Sequence, residues 1–211
     1  MRHFMRTLFF STLVLMILSC GYSNTNSKKE FSSNKSDTII KQAKDMSDYS
    51  PTFEKIHPDA KSLMTEDFYF NPIDETSPFG NDDGADTYAG FKDWRQTHKT
   101  SSPKEFLNEQ INSWGYPKFD LYETDIEKLR PYLKQSELGS RFMSGIDAAV
   151  IAIAFGQLYL EGNIDKDLNK LAKTAITRQL IPQLLNLWGD SYKKERETKL
   201  NKMLAVLNKV N

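Results

Sequence analysis

Residues 147–162 read DAAVIAIAFGQLYLEG, and from Ala148 to Leu160 only Gly156 and Gln157 interrupt an apolar run. A helix that is apolar on nearly every side belongs in the middle of a bundle. The unbroken apolar part, AAVIAIAF at 148–155, falls well short of the roughly 20 residues needed to cross a bilayer. It therefore reads as a buried core segment, and beyond the N-terminal 20 residues no stretch reads as long enough to span. Ser144-Gly145-Ile146-Asp147 has the form of a helix start, and Gly162-Asn163 has the form of a stop.

Working outward, Leu168, Leu171, Ala172, Ala175, Ile176 and Leu180 recur at steps of three and four after Asp165, as in an amphipathic helix. Pro182 predicts a kink before LLNLW at 184–188. Gly189-Asp190 resets the chain, and Leu200, Met203, Leu204, Leu207 and Val210 mark a last helix with lysines on its other face. Upstream, Ser102-Pro103-Lys104-Glu105 is a capping box with proline at the first helical position. Phe106, Leu107, Ile111 and Trp114 follow before Gly115 and Pro117, predicting a helix over 103–114. Thr124-Asp125-Ile126-Glu127 repeats the box, and Pro131 predicts a break followed by a further short helix before Gly139.

The fold expected is mainly α, a single-domain helical bundle over 49–211 with short connections between antiparallel neighbours. Residues 51–78 read as an irregular wrap. Within it, Phe68-Tyr69-Phe70 reads either as a short strand or hairpin or as aromatic core.

Between wrap and bundle lies SPFGNDDGADTYAGFKDW at 77–94. Aligned on Gly84, the calcium-loop pattern fails, because Phe79 stands at the first ligand and Gly90 at the bidentate one. A looser oxygen site would draw on Asp74, Glu75, Asp82, Asp83 and Asp86. The structural alternative is a turn at Asn81-Asp82, a cap at Asp83, an Asp86 carboxylate near the positive end of the helix dipole, and a buried stripe of Ala85, Tyr88, Phe91 and Trp94 reaching about Thr97.

The first 19 residues place Arg2 and Arg6 before an apolar run from Leu8 to Leu18, the pattern of a signal peptide. The lone cysteine, Cys20, follows Ile17-Leu18-Ser19 and resembles a bacterial lipobox. That resemblance implies cleavage before Cys20, acylation of its thiol, and a chain moored to the membrane by two or three acyl chains rather than spanning it. Gly21 lacks the aspartate associated with inner-membrane retention, which points to the outer membrane of a bacterial envelope. Residues 20–48, rich in Ser, Asn and Lys, read as a flexible tether. One cysteine allows no disulfide within the chain, so the core must hold the fold.

Charge balances at 28 cations against 28 acids, but unevenly along the chain. From Lys61 to Gly90 one lysine faces seven acids, namely Glu66, Asp67, Asp74, Glu75, Asp82, Asp83 and Asp86. Residues 163–211 carry ten Lys and Arg against five acids. The expectation is that the acidic segment packs near the basic C-terminal helices. No concentrated basic patch suggests nucleic-acid binding.

Residues 57–95, HPDAKSLMTEDFYFNPIDETSPFGNDDGADTYAGFKDWR, together with 147–182, resemble the YfeS type of uncharacterised bacterial protein, sometimes described with the WGR domain. The resemblance implies no activity and supplies no catalytic residue. Trp114-Gly115-Tyr116 and Trp188-Gly189-Asp190 depart from a Trp-Gly-Arg triplet, so no WGR nucleic-acid role is inferred.

No nucleophile elbow, zinc-protease helix, phosphate loop or dinucleotide fingerprint occurs in the sequence, and no cofactor or catalytic residue is assigned. His57, beside Pro58 and Asp59, remains a candidate base or ligand. His98 suits the negative end of its helix dipole. The functional expectation is a lipid-anchored, non-enzymatic envelope domain that binds a protein partner through the membrane-tethered chain. The alternatives are an envelope hydrolase using two acids near 74–86 beside Tyr88 and Trp94, and a cation-dependent binding module. The candidate binding residues are Asp74, Glu75, Asp82, Asp83, Asp86, Trp94 and His57.

Overall fold

The apolar run at 148–160 forms the middle of a helix that starts earlier than its sequence suggests. A computed structural model describes residues 50–210. The signal peptide, Cys20 and the tether lie outside the described residues. The central helix spans Gly139–Glu161, and every residue from Gly145 to Tyr159 is buried. The start at Ser144 is thus corrected: helix continues back through Gly145 and Ser144 to Gly139, where Tyr132 and Leu133 carbonyls leave no room for a larger residue. With that extension the helix is long and apolar enough to cross a bilayer, yet 83% of its most apolar stretch is covered by protein. Gly162 ends it at φ 73°, a left-handed conformation open to glycine at little cost.

Seven α-helices and no strand are present among the described residues. In chain order they are α1 (Asp82–Thr97), α2 (Pro103–Trp114), α3 (Ile126–Lys134), α4 (Gly139–Glu161), α5 (Lys166–Gln179), α6 (Pro182–Leu185) and α7 (Asp190–Lys209). Helices α1 and α5 are the principal neighbours of α4; α2 and α3 also lie against it, and α7 packs on α5. The start of α2 has the expected glutamate reach-back, with Glu105 Oε1 accepting the Ser102 N–H at 3.3 Å. At α5 the Asp165 carboxylate accepts from Asp167 and Leu168 amides.

Two proline expectations part company. Pro182 ends α5 and begins the single turn of α6, which runs into a 3-10 turn at Asn186–Trp188. Pro131, by contrast, lies inside α3 without breaking it, and no further short helix precedes Gly139. Only one internal hydrogen bond is forgone in so short a helix, and burial of Leu129 and Tyr132 on both sides of the proline holds it. Its cap is Asp125, one residue later than the Thr124 box suggests, with Oδ1 accepting from Glu127 at 2.9 Å.

The wrap is a chain of 3-10 turns, at Phe53–Lys55, Pro58–Ala60 and Asp67–Phe70. The strand or hairpin at Phe68-Tyr69-Phe70 is therefore overturned. Tyr69 is buried and stacks on Phe155 at 5.8 Å, so aromatic packing on α4 replaces strand pairing. The Tyr159 hydroxyl donates to Thr52 O and accepts its N–H, while His57 N–H donates to Tyr159 O at 2.9 Å. The expected charge match is also present: Lys199 pairs with Asp74 and Lys202 with Glu66, stitching the acidic wrap to α7.

Candidate functional site

The 77–84 stretch is locked before it reaches α1. Ser77 Oγ donates to Tyr69 O at 3.2 Å and accepts the Phe79 N–H at 3.3 Å. The helix cap is Asn81, not Asp83, with Oδ1 accepting the Gly84 N–H at 2.8 Å. Asp82 and Asp83 occupy the first turn, where the helix dipole favours their charge. Ala85 is exposed and leaves the expected stripe to Gly84, Thr87, Tyr88 and Phe91, with Trp94 partly buried against the same core.

This helix start forms one wall of a cleft of about 250 Å³. Opposite it stand Arg141 and Ser144 from α4, Gln179 from the end of α5, Trp188 from the 3-10 turn and Arg196 from α7. Ala148, Ile151 and Met203 supply an apolar floor. The Asp83 carboxylate accepts from Arg141 Nη1 at 2.5 Å.

Arg196 is only 3% exposed and has no carboxylate within ion-pair distance among the described residues. Its Nη2 donates to Gln179 Oε1 at 2.5 Å and its Nη1 to Thr76 Oγ1 at 3.2 Å and to Glu75 O at 3.5 Å. Trp188 covers one face of the guanidinium, with the ring centroid 3.6 Å from Cζ. The buried Nε has no hydrogen-bond partner. Burial pulls the group down to about 10, the Tyr192 hydroxyl and the Glu75 and Asp147 charges opposing that pull only in part.

Behind the cleft a second buried arginine is fully matched. Arg178 donates from Nε to both Asp147 oxygens at 3.1 and 3.2 Å and from Nη2 to Oδ1 at 2.5 Å. Its Nη1 donates to the Leu121 and Glu123 carbonyls at 3.2 and 2.6 Å. Burial raises the Asp147 carboxyl to about 6, with Arg178 pulling the other way.

Of the candidate residues, Glu75, Asp82 and Asp83 line the cleft. Asp74 does not; it is engaged by Lys199, by the Thr76 N–H at 2.9 Å and by the Tyr192 hydroxyl at 3.2 Å. Asp86 is exposed on α1. Trp94 lies about 18 Å beyond Asp82 along that helix, at 1.5 Å per residue, stacked on His98 at 4.5 Å. His57 sits at the opposite end of α4, against Gly162, with Nδ1 accepting the Asp59 N–H at 3.2 Å. The seven candidates therefore do not form one constellation. Among the described residues no three His, Cys, Asp or Glu side chains cluster as a metal-binding group.

The basic half of the cleft was missed by sequence reasoning. One signal was available: Arg196 falls four residues before Leu200 and seven before Met203, on the apolar stripe of α7 rather than on its lysine face.

Over 137 residues the chain is 29% identical to a protein of Escherichia coli (strain K12) described as "Uncharacterized protein YfeS", the match covering 64% of this chain and 54% of that protein. The chain thus matches about half the length of that relative. No protein-family model and no solved structure matches the chain. The likeness supports a kinship with proteins of the YfeS type, and the relative's description names no activity, ligand or partner.

Proposed function

We propose that this is a lipid-anchored protein of the bacterial envelope, moored at Cys20 to the outer membrane, whose folded domain binds a protein partner and carries out no turnover. One observation supports binding above the other readings: the cleft walled by Glu75, Asp82 and Asp83 holds a buried arginine, Arg196, with no carboxylate of its own. Arginine is suited to planar, paired recognition of an anionic group from outside. A hydrolase would instead call for two acids free to act on opposite sides of a bond, whereas Asp83 is tied to Arg141 and Asp74 to Lys199. The anchor rests on Arg2, Arg6, the apolar run and the Ile17-Leu18-Ser19-Cys20 sequence.

The test is a photo-crosslinking residue placed at Leu187, which is 63% exposed and lies next to Trp188, in intact cells. One reproducible adduct is expected, absent from the same residue placed at Ile73, and radiolabelled palmitate is expected to attach to the native chain and not to Cys20→Ala. Equal adducts at both positions, or no palmitate label on the native chain, would overturn the reading.

A further inference from the structure

Arg196 poses a problem that the packing around it leaves unsolved. A buried charge is costly unless paired, and buried polar groups without partners are rare enough that each calls for a reason. The same fold contains the solved case. Arg178 presents its Nε and Nη2 edge to a carboxylate, Asp147. On Arg196 the corresponding edge has Nη2 on the neutral Gln179 amide and Nε on nothing.

Arg196 differs from Arg178 in lining a cleft, and the cleft's size and charge narrow what fits. At about 250 Å³ it is smaller than the roughly 300–1,000 Å³ of sites for drug-sized ligands, which suits a group of amino-acid size. Its cations are Arg141 and Arg196, and Arg141 is already paired with Asp83. Glu75 and Asp82 add negative charge at the same cleft. Those two acids disfavour a doubly charged phosphate and favour a ligand whose anionic end is single and planar and whose other end is cationic or amide-like.

We propose that the cleft binds the free carboxylate of an amino-acid residue, from a free amino acid or from the C-terminal residue of a peptide, with Arg196 as the anchor and Asp82 and Glu75 facing the ligand's amino or amide end. This rests on the binding reading above and names the chemistry of what is bound. Ala148, Ile151 and Met203 offer apolar contact to a small side chain.

The experiment is calorimetric titration of the full chain with alanine, glutamate and N-acetyl-alanyl-alanine, each beside its carboxamide, and with inorganic phosphate. At least one free carboxylate is expected to bind at least tenfold more tightly than its amide and than phosphate. Arg196→Lys, which keeps the charge and loses the paired donors, is expected to weaken that binding at least tenfold. Asp82→Asn separates the two sources: it weakens a free amino acid, whose ammonium it faces, and leaves the acetylated dipeptide unchanged. Silence from every carboxylate, equal binding of acid and amide, preference for phosphate, or native affinity in a folded Arg196→Lys chain would each overturn the proposal. A crosslinked partner at Leu187 with no carboxylate binding would sink this inference alone. Carboxylate binding with no partner would sink the partner reading and leave this one standing.

Discussion

Two buried arginines less than 20 residues apart in sequence, Arg178 on α5 and Arg196 on α7, occupy opposite kinds of surroundings. Arg178 is fully covered; Asp147 takes its charge and two carbonyls of the 115–125 segment take its remaining donors. Arg196 is almost as buried but meets only neutral acceptors and the face of Trp188. The first arrangement joins α4, α5 and the segment before α3. The second leaves part of its hydrogen-bonding capacity unused at the wall of a cleft. Burial alone thus does not separate scaffold from site in this fold; the state of the counter-charge does.

The largest effect that sharpens this contrast belongs to Arg178→Met. It strands the Asp147 carboxylate in the core, and breaking such a pair costs about 3–5 kcal/mol. Urea unfolding followed by circular dichroism should show that loss, and adding Asp147→Leu should return most of it. A loss below about 1 kcal/mol in the single variant would mean that the Arg178 pair is not the sealed half of the comparison.

Glycines on α4 carry the same contrast to a smaller scale. A Cβ at Gly156 would stand 2.9 Å from Tyr88 Cδ2, on a ring 2% exposed and held among Phe79 and Tyr159. Overpacking of that kind costs about 1–3 kcal/mol. At Gly145, on the cleft side, the Cβ would meet the far ends of Arg141 and Asp83 at 2.8 and 2.9 Å, and half-exposed Arg141 can swing away. Gly156→Ala should therefore lower the urea midpoint clearly more than Gly145→Ala. The reverse order would place the rigid part of the α1–α4 seam beside the cleft.

How much of this was legible follows from where each signal lies along the chain. Helices α2 and α5 were readable end to end, because caps and apolar steps sit within a dozen or so residues of one another. The first turn and a half of α4 was not, since Gly139, Ser140 and Gly145 are weak helix formers and only packing commits them. The wrap's aromatics resembled strand residues, and it was Phe155 beneath Tyr69 that decided their conformation. The site split the same way. Its acidic wall is one local stretch and stood out, whereas Arg141 meets Asp83 across 58 residues and Arg196 meets Thr76 across 120. No local pattern encodes such pairings.

Acid should act on two cation-bound carboxylates in opposite senses. Burial pushes Asp74 up, but hydrogen bonds from Lys199, Thr76 and Tyr192, with the Lys199 charge, more than offset it and hold its carboxyl below the usual range. Its contribution is present above pH 3.8 and is lost as pH falls through the lower folded value. Asp147, raised from 3.8 to about 6, takes up a proton more readily in the folded chain. Through that group, stability is greatest at low pH and declines as pH climbs through 6. Unfolding titrations between pH 3 and 7 should lose the pH 4–6 slope in Asp147→Asn and show a shallower acid limb in Asp74→Asn. Unchanged profiles in both variants would remove the distinction between the interior pair and the wrap pair.

The smallest expected change is the most telling. Arg196→Met deletes a buried charge whose desolvation is only partly offset, and an apolar side chain of similar length can still lie against Trp188 and the Met203 floor. It also removes the donors to Gln179 and Thr76, each hydrogen bond contributing about 1 kcal/mol, and the long, weak one to the Glu75 carbonyl. Thr76 Oγ1 keeps its 2.6 Å contact with the Tyr192 hydroxyl, and Gln179 lines the cleft, where water can reach it. Gain and loss are of like size, so the urea midpoint should move by less than the equivalent of about 1 kcal/mol. A loss above about 2 kcal/mol would make Arg196 a structural clamp like Arg178, and the two halves of the comparison would collapse into one.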